Sequence, residues 1–335
     1  MLNVTLYTRK DCHLCDQVKA DLESLQSKLP HRLVEVDIDS DPTLQAKFGE
    51  IIPVVEVGPY SLKAPITKQS LQMTLGAASD RKNQLEEIGD TQYKARVQKG
   101  KTISFSDRFS FGISKQYLLA LNLFMFFYVG LPFLAPVLMK VGATIPAQVL
   151  YKMYSPLCHQ FGFRSFFLFG EQPYYPLAAA GLTGIKTFEQ ISSIPNLNDP
   201  LSSTRLQART FIGNNVVGFK VALCERDVAI YIAMLLFGIG YSLSGRKVKS
   251  LHWLLWLLIG IVPIGLDGFS QLFSQFNWPW LVSVIPYRES TPFLRVLTGA
   301  LFGFCTAWFA YPNIEESMNE TRQYYIKKFA VNQVS

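Results

Sequence analysis

Residues 117–139 carry no charged side chain. A membrane hydrocarbon core about 30 Å thick takes about 20 consecutive apolar residues of helix to cross, and in that medium a helix is what keeps each backbone hydrogen bond internal. The segment therefore reads as a transmembrane helix, with Pro132 and Pro136 expected to kink its far end. Three further apolar runs follow at 228–243, 251–266 and 296–311, each somewhat short of a full span. Each reaches full length only by extending into charged residues: Arg226-Asp227, Asp267, and the stretch from Glu289 to Arg295. An ionisable group at membrane depth costs about 2.5 to 3.5 kcal/mol on insertion scales, so such groups face the bundle interior with a partner or a function.

The basic residues orient these four helices. The linker before the first (Lys94, Arg96, Lys99, Lys101, Arg108), the Arg246-Lys247-Val248-Lys249 loop and the tail with Arg322, Lys327 and Lys328 all fall on one side, cytoplasmic by the positive-inside rule. The segments 140–227 and 267–292 then share the exoplasmic side. Trp278 and Trp280 are expected at the outer interface, Trp253 and Trp308 nearer the inner one. Gly299 and Gly303 form a small-xxx-small pair suited to close helix packing. Of the 335 residues 49% are hydrophobic, 13% aromatic and 17% charged, with a net charge of +7. Both biases arise after residue 115, so the excess of basic residues reflects membrane orientation and not a nucleic-acid partner.

The first 75 residues differ in kind. Val4-Thr5-Leu6-Tyr7-Thr8 reads as a strand, and the stretch from Gln17 to Leu29 sets Val18, Leu22 and Leu25 at helical spacing. Between them lies Cys12-His13-Leu14-Cys15. At a helix N-terminus the free backbone N–H groups and the dipole stabilise a thiolate, readying an exposed Cys12 to attack a disulfide near neutral pH. Cys15 would resolve the mixed disulfide, and His13 is expected to face solvent. A zinc site would need a second cysteine pair at similar spacing, and this segment has none. A second strand at 32–37, a short helix around Leu44 to Phe48 and a third strand at 51–57 complete a β-α-β-α-β order, with Pro53 at the start of the third strand, where proline is confined to edges or special turns.

In this order and spacing residues 2–75 resemble the glutaredoxin-like branch of the thioredoxin fold. The resemblance implies Cys12 as nucleophile, Cys15 as resolving thiol and Pro53 as a cis-proline whose preceding backbone pairs with the substrate. The paired glycines and acidic residue that hold glutathione in typical glutaredoxins are replaced here by Val57-Gly58-Pro59-Tyr60-Ser61. That puts glutathione in doubt and leaves a disulfide-bearing protein or another small thiol as the partner. No basic, apolar leader precedes the first strand, so this domain is expected in the cytoplasm.

The exoplasmic side collects a second constellation: Cys158-His159-Gln160, Arg164, Cys224-Glu225-Arg226-Asp227, Asp267-Gly268 with Gln271, Arg288-Glu289 and Arg295. Cys224 and Asp227 are three apart, and Asp267 and Gln271 four apart, so each pair shares one side of a helix. With Ser155-Pro156-Leu157, Ser165, Tyr231, Pro263, Ser290 and Gly299, these motifs resemble, over about residues 115–312, a family of bacterial integral membrane proteins of unknown function (domain of unknown function 2085). That resemblance brings no activity. Residues 187–215, rich in Ser, Asn and Pro, read as an inserted loop.

Three accounts of this constellation stay open. Cys158 and Cys224 form a disulfide on an oxidising side; or Cys158, His159, Cys224 and Asp267 hold zinc or another divalent metal, with Glu289 and Arg295 behind them; or the cysteines are packing residues and the charges salt bridges. Lone Cys305 reads as packing. A relay from Cys12 to Cys158 and Cys224 would need a carrier such as a quinone or large helix motions, because thiol exchange requires sulfur contact.

The expected organisation is an α/β thioredoxin-like domain (1–78), a basic polar linker (79–114), and an all-α four-helix transmembrane domain (115–312; helices about 117–139, 226–243, 251–270 and 293–311). A cytoplasmic tail (313–335) ends the chain. The expected activity is thiol-disulfide exchange by a membrane-anchored oxidoreductase of a bacterial inner or thylakoid-type membrane, in contact with membrane lipid; the CxxC site itself needs no cofactor. The rivals are a metal-dependent membrane hydrolase acting on a lipid-linked substrate under a regulatory redox domain, and a transporter or assembly scaffold.

Overall fold

The computed structural model describes residues 1–100, 102–197, 199, 202–276 and 287–333, and the side chains of these except Arg96. Lys101, Trp278 and Trp280, and the side chain of Arg96, lie outside what is described. The chain divides into two units, Met1–Gln116 with Glu316–Ser335, and Tyr117–Glu315.

In the first unit, strand β1 (Leu2–Thr8) is central and buried through most of its length. It leads to helix α1 (His13–Leu25), which buries Cys15, Val18, Leu22 and Leu25 along one face. Strand β2 (His31–Asp37) pairs with β1 in parallel. Helix α2 (Pro42–Phe48) starts where Asp41 caps the Thr43 N–H and Pro42 takes the first turn, where its missing N–H costs nothing. Strand β3 (Val54–Val57) runs antiparallel to β1.

Beyond the expected β-α-β-α-β order, strand β4 (Tyr60–Lys63) closes a hairpin through Gly58, whose φ of 57° suits a residue without Cβ. The sheet order is β2-β1-β3-β4. Helix α3 (Lys68–Glu87), started by a Thr67/Ser70 capping box, packs Leu71, Leu75 and Ala78 on this sheet. The domain's packing thus ends at Ala78, while the helix runs on through the expected linker. That linker is helical again in α4 (Thr91–Gly100).

The second unit holds most of α5 (Phe105–Lys140), which continues through both prolines, and α6 (Thr144–Tyr154). Strand β5 (Ser165–Leu168), short helix α7 (Phe188–Ser192), strand β6 (Gly213–Asn214) and strand β7 (Gly218–Cys224) follow. The three strands form an antiparallel sheet in the order β5-β7-β6, which the helical reading of this domain did not include. Described residues of the stretch read as an inserted loop are packed too: Phe188, Leu197 and Ala208 join Phe163, Phe167 and Tyr175 in one core.

Then come α8 (Glu225–Leu243), α9 (Trp253–Ser274) and α10 (Pro292–Gln333). Among the described residues, α5, α8, α9 and α10 are the four helices long and apolar enough to cross a membrane. Leu254, Leu255, Leu258, Leu266 and Phe269 of α9 are left uncovered by protein, as lipid-facing side chains are. The π-helical stretch Trp256–Ile261 precedes Pro263, where the regular ladder loses a donor. Helices α8 and α10 meet at the glycine pair: a Cβ on Gly299 would sit 2.7 Å from the Arg226 carbonyl, and one on Gly303 would collide with the Ile230 carbonyl.

The expected tail is the last part of α10 and belongs to the first unit. Ile326 and Ala330 pack on the cluster of Tyr7, Val36, Phe48 and Val54. Lys327 pairs with Glu56 at 2.6 Å and Lys328 with Asp107 at 2.7 Å.

Candidate functional site

Each unit carries one group of reactive side chains. In the first, Cys12 is the N-cap residue of α1, and its sulfur accepts the Cys15 N–H at 3.3 Å. Cys12 is half-buried, Cys15 is 2% exposed, and the two are joined as a disulfide with Cα atoms 5.2 Å apart. Position follows from topology: β1 delivers the cysteine loop at its C-terminal end, and antiparallel β3 begins opposite that end, with Val54 paired to Tyr7. Buried Pro53 therefore sits at the edge of the sheet from which the loop leaves, and its peptide bond is cis. His13 and Leu14 face solvent beside Cys12.

In the second unit, β7 ends at Cys224, which caps α8, and Asp227 lies in the first turn of that helix. The Cys224 thiol donates to the Asp227 carboxylate at 2.9 Å. Cys158 follows α6 in a loop fixed by Gln160, whose left-handed backbone (φ 53°) is uncommon for a residue with a Cβ. The Gln160 amide donates to the carbonyls of Tyr151 (3.0 Å) and Ala222 (2.9 Å), tying the loop to β7. Strain of this kind persists where surrounding contacts over-determine it. Cys158 and Cys224 are free thiols whose sulfurs lie within 4.8 Å of each other. That contact holds the Cys158 thiol below its ordinary range, while the same neighbour and burial push Cys224 above it.

Beneath the pair, Lys220 is 1% exposed and donates to the carbonyls of Gln160 (2.9 Å) and Arg209 (2.6 Å). Burial pushes its pKa down to about 7, against the opposing pull of the Cys158 thiol.

The remaining charges form two clusters. Asp267 accepts from Arg226 (2.5 Å), Arg288 (2.8 Å) and the Ser290 hydroxyl (2.7 Å). Glu289, its side chain fully buried, accepts from Arg164 (2.6 Å), Arg205 (2.8 Å), Arg295 (2.8 Å) and the Gln271 amide (2.8 Å). Arg295 also reaches Glu225 at 3.1 Å. A cavity of about 300 Å³ opens above these clusters, lined among others by Cys158, His159, Cys224, Asp227, Arg164 and Arg226.

The expected metal set of Cys158, His159, Cys224 and Asp267 is not the set that converges. Among the described residues, Cys158, Cys224 and Asp227 bring donor atoms within 4.8 Å of one another. Asp267 is committed to two guanidiniums, and exposed His159 stacks on the Phe161 ring, centroids 5.7 Å apart. Sequence reasoning also left out Arg205 and Lys220 as members of this constellation. Arg205 lay in a stretch read as loop; a lysine inside the apolar run Gly218-Phe219-Lys220-Val221-Ala222-Leu223 was the one visible signal.

Residues 3–76 match the family described as Glutaredoxin-like domain (DUF836), and residues 204–309 that described as Predicted membrane protein (DUF2085). The chain thus joins a glutaredoxin-like domain to a predicted membrane domain. It is similar to an uncharacterized protein of Methanocaldococcus jannaschii, 26% identical over 209 residues that cover 60% of this chain and 93% of that protein. No solved structure matches the chain.

Proposed function

We propose that this membrane protein is a thiol-disulfide oxidoreductase whose glutaredoxin-like domain works on the cytoplasmic face of the membrane. The observation that carries the reading is the asymmetry of the pair: Cys12 is half-open at the helix N-terminus, and Cys15 is buried behind it. In the reduced domain the Cys12 thiolate attacks a substrate disulfide, forming a mixed disulfide and releasing the first substrate thiolate. Cys15, deprotonated, then attacks the Cys12 sulfur; the second substrate thiolate leaves and the Cys12–Cys15 disulfide closes. Two electrons pass to the substrate, the released thiolates take protons from solvent, and an external thiol reductant restores the dithiol.

The partner is a disulfide-bearing protein or small thiol. The tight Gly58-Pro59 hairpin stands where a glutathione-holding sequence would be, which argues against glutathione.

Sidedness rests on two observations. Both ends of the chain belong to one unit, with Lys327 on Glu56 and the Arg32 guanidinium on the Val331 carbonyl, so an even number of crossings separates them. The basic linker, the Arg246-Lys247-Val248-Lys249 loop and the final helix all count to the same side, which the positive-inside rule makes cytoplasmic. By that count Cys158 and Cys224 belong to the exoplasmic side, and the two cysteine sites act separately.

The test is reduction of a disulfide substrate by full-length protein in detergent. Cys12→Ser is expected to be inactive, and Cys15→Ser to accumulate a mixed disulfide that reducing gels resolve. If Cys12→Ser turns over at the wild-type rate, the assignment fails.

A further inference from the structure

We propose that Cys158, Cys224 and Asp227 bind a zinc-type divalent ion, with one coordination position left open to the cavity above them. Three donors from two separate segments meet within 4.8 Å. Zinc holds thiolates at about 2.3 Å and carboxylates at about 2.0 to 2.2 Å, which sets donor atoms roughly 3.5 to 3.8 Å apart around a tetrahedral ion. The Cys224 sulfur and the Asp227 carboxylate, 2.9 Å apart as hydrogen-bond partners, open to that spacing when the ion replaces the thiol proton between them. Two sulfurs select a soft ion over magnesium or calcium, which prefer oxygen ligands.

The surroundings behave as an outer shell for such a site. Gln160 fixes the Cys158 loop to α6 through the Tyr151 carbonyl and to β7 through the Ala222 carbonyl, and Cys224 and Asp227 lie at the start of α8, so ligand spacing is set by regular structure. Asp227 makes no ion pair among the described residues, although Arg164 and Arg226 line the same cavity. Those arginines are taken by Glu289 and Asp267, leaving the Asp227 carboxylate to the thiol beside it. Two thiolates and a carboxylate on a divalent cation carry one net negative charge, which the excess of guanidiniums over carboxylates in the neighbouring Glu289 and Asp267 clusters offsets. Three protein ligands and an open position make a reactive rather than a closed structural zinc site. His159, at the cavity wall and turned onto Phe161, is not required by this geometry.

The experiment loads full-length protein with zinc in detergent, in a Cys12→Ser/Cys15→Ser background so that the first site contributes nothing, and counts bound metal after dialysis. About one zinc per chain is expected in this parent and in its His159→Ala derivative. Loss of at least about tenfold is expected in Cys158→Ser, Cys224→Ser and Asp227→Asn derivatives that still elute as single species. Cobalt loading of the parent gives an answer independent of those variants: a thiolate-to-cobalt charge-transfer band is expected. A parent that takes up no zinc and shows no such band overturns the proposal, as does a Cys158–Cys224 disulfide recovered by peptide mapping from the zinc-loaded parent.

Discussion

Arg205 lies 2.8 Å from the Glu289 carboxylate, joining residues 84 apart in the chain. The contact ties a stretch rich in Ser, Asn and Pro to the approach to α10. Glu289 is shared by Arg164, Arg205 and Arg295, and among the described residues only Glu225, on Arg295, relieves the excess positive charge of that cluster. A buried carboxylate among several guanidiniums gains its stability from completeness, because removing one partner strands the others without water.

Glu289→Gln keeps the shape of the side chain and removes its charge, leaving two guanidiniums less than 10% exposed without their main acceptor. Breaking a buried ion pair in this way costs about 3 to 5 kcal/mol. The detergent-solubilised variant is expected to melt well below wild type, and Arg164→Gln, whose side chain is 27% exposed, to lose less. Equal melting midpoints for Glu289→Gln and wild type would remove Glu289 as the centre of this cluster.

Gly303→Ala probes the contact between α8 and α10. Its methyl group would collide with the Ile230 carbonyl, a backbone atom that moves only if the helix moves. Overpacking of this kind costs about 1 to 3 kcal/mol. Gly240→Ala, on α8 with open space at the Cβ position, is the matched control and is expected to be neutral or slightly stabilising. A variant pair with indistinguishable melting curves would contradict the close approach.

Lys220 makes stability depend on alkaline pH. Its pKa is about 7 in the folded protein, against about 10.4 for a free lysine, so between those values the unfolded chain binds more protons. Stability therefore rises as pH increases from about 7 towards 10, and the penalty for burying the ammonium is present in full below 7. Melting midpoints of wild type and Lys220→Met across pH 6 to about 10 should show wild type gaining on the variant as pH rises. Parallel curves would mean that Lys220 does not titrate in that window.

Much of this was legible because it is local. The Cys12 turn, α1 with Val18, Leu22 and Leu25, the apolar spans and the Gly299/Gly303 pair are all carried by spacing along one element. Strand β4 is short, exposed and holds a lysine, so no alternation marks it. Strand β7 is buried on both faces and shows no period of two. Partner choice was the least visible. His159 adjoins Cys158 in sequence yet turns its ring to Phe161, whereas Asp227, one helical turn past Cys224, comes to the sulfur. Asp267 is taken by Arg226 and Arg288, through contacts that span 41 and 21 residues and leave no mark on the local sequence.

Sidedness is tested by labelling exposed positions, because Cys15 and Cys158 are too buried to report access fairly. Leu14 is 55% exposed beside Cys12, and Leu157 is 57% exposed beside Cys158. Leu14→Cys in a Cys12→Ser/Cys15→Ser background, and Leu157→Cys in the same background, are treated in sealed right-side-out vesicles with a membrane-impermeant maleimide and mapped by peptide mass. The even number of crossings between the chain ends, together with the basic loops, predicts modification of the Leu157 position in intact vesicles. The Leu14 position should react only after the membrane is opened. Labelling of both positions from outside would put the two cysteine sites on one face, and sulfur contact between them would then no longer require a carrier across the bilayer.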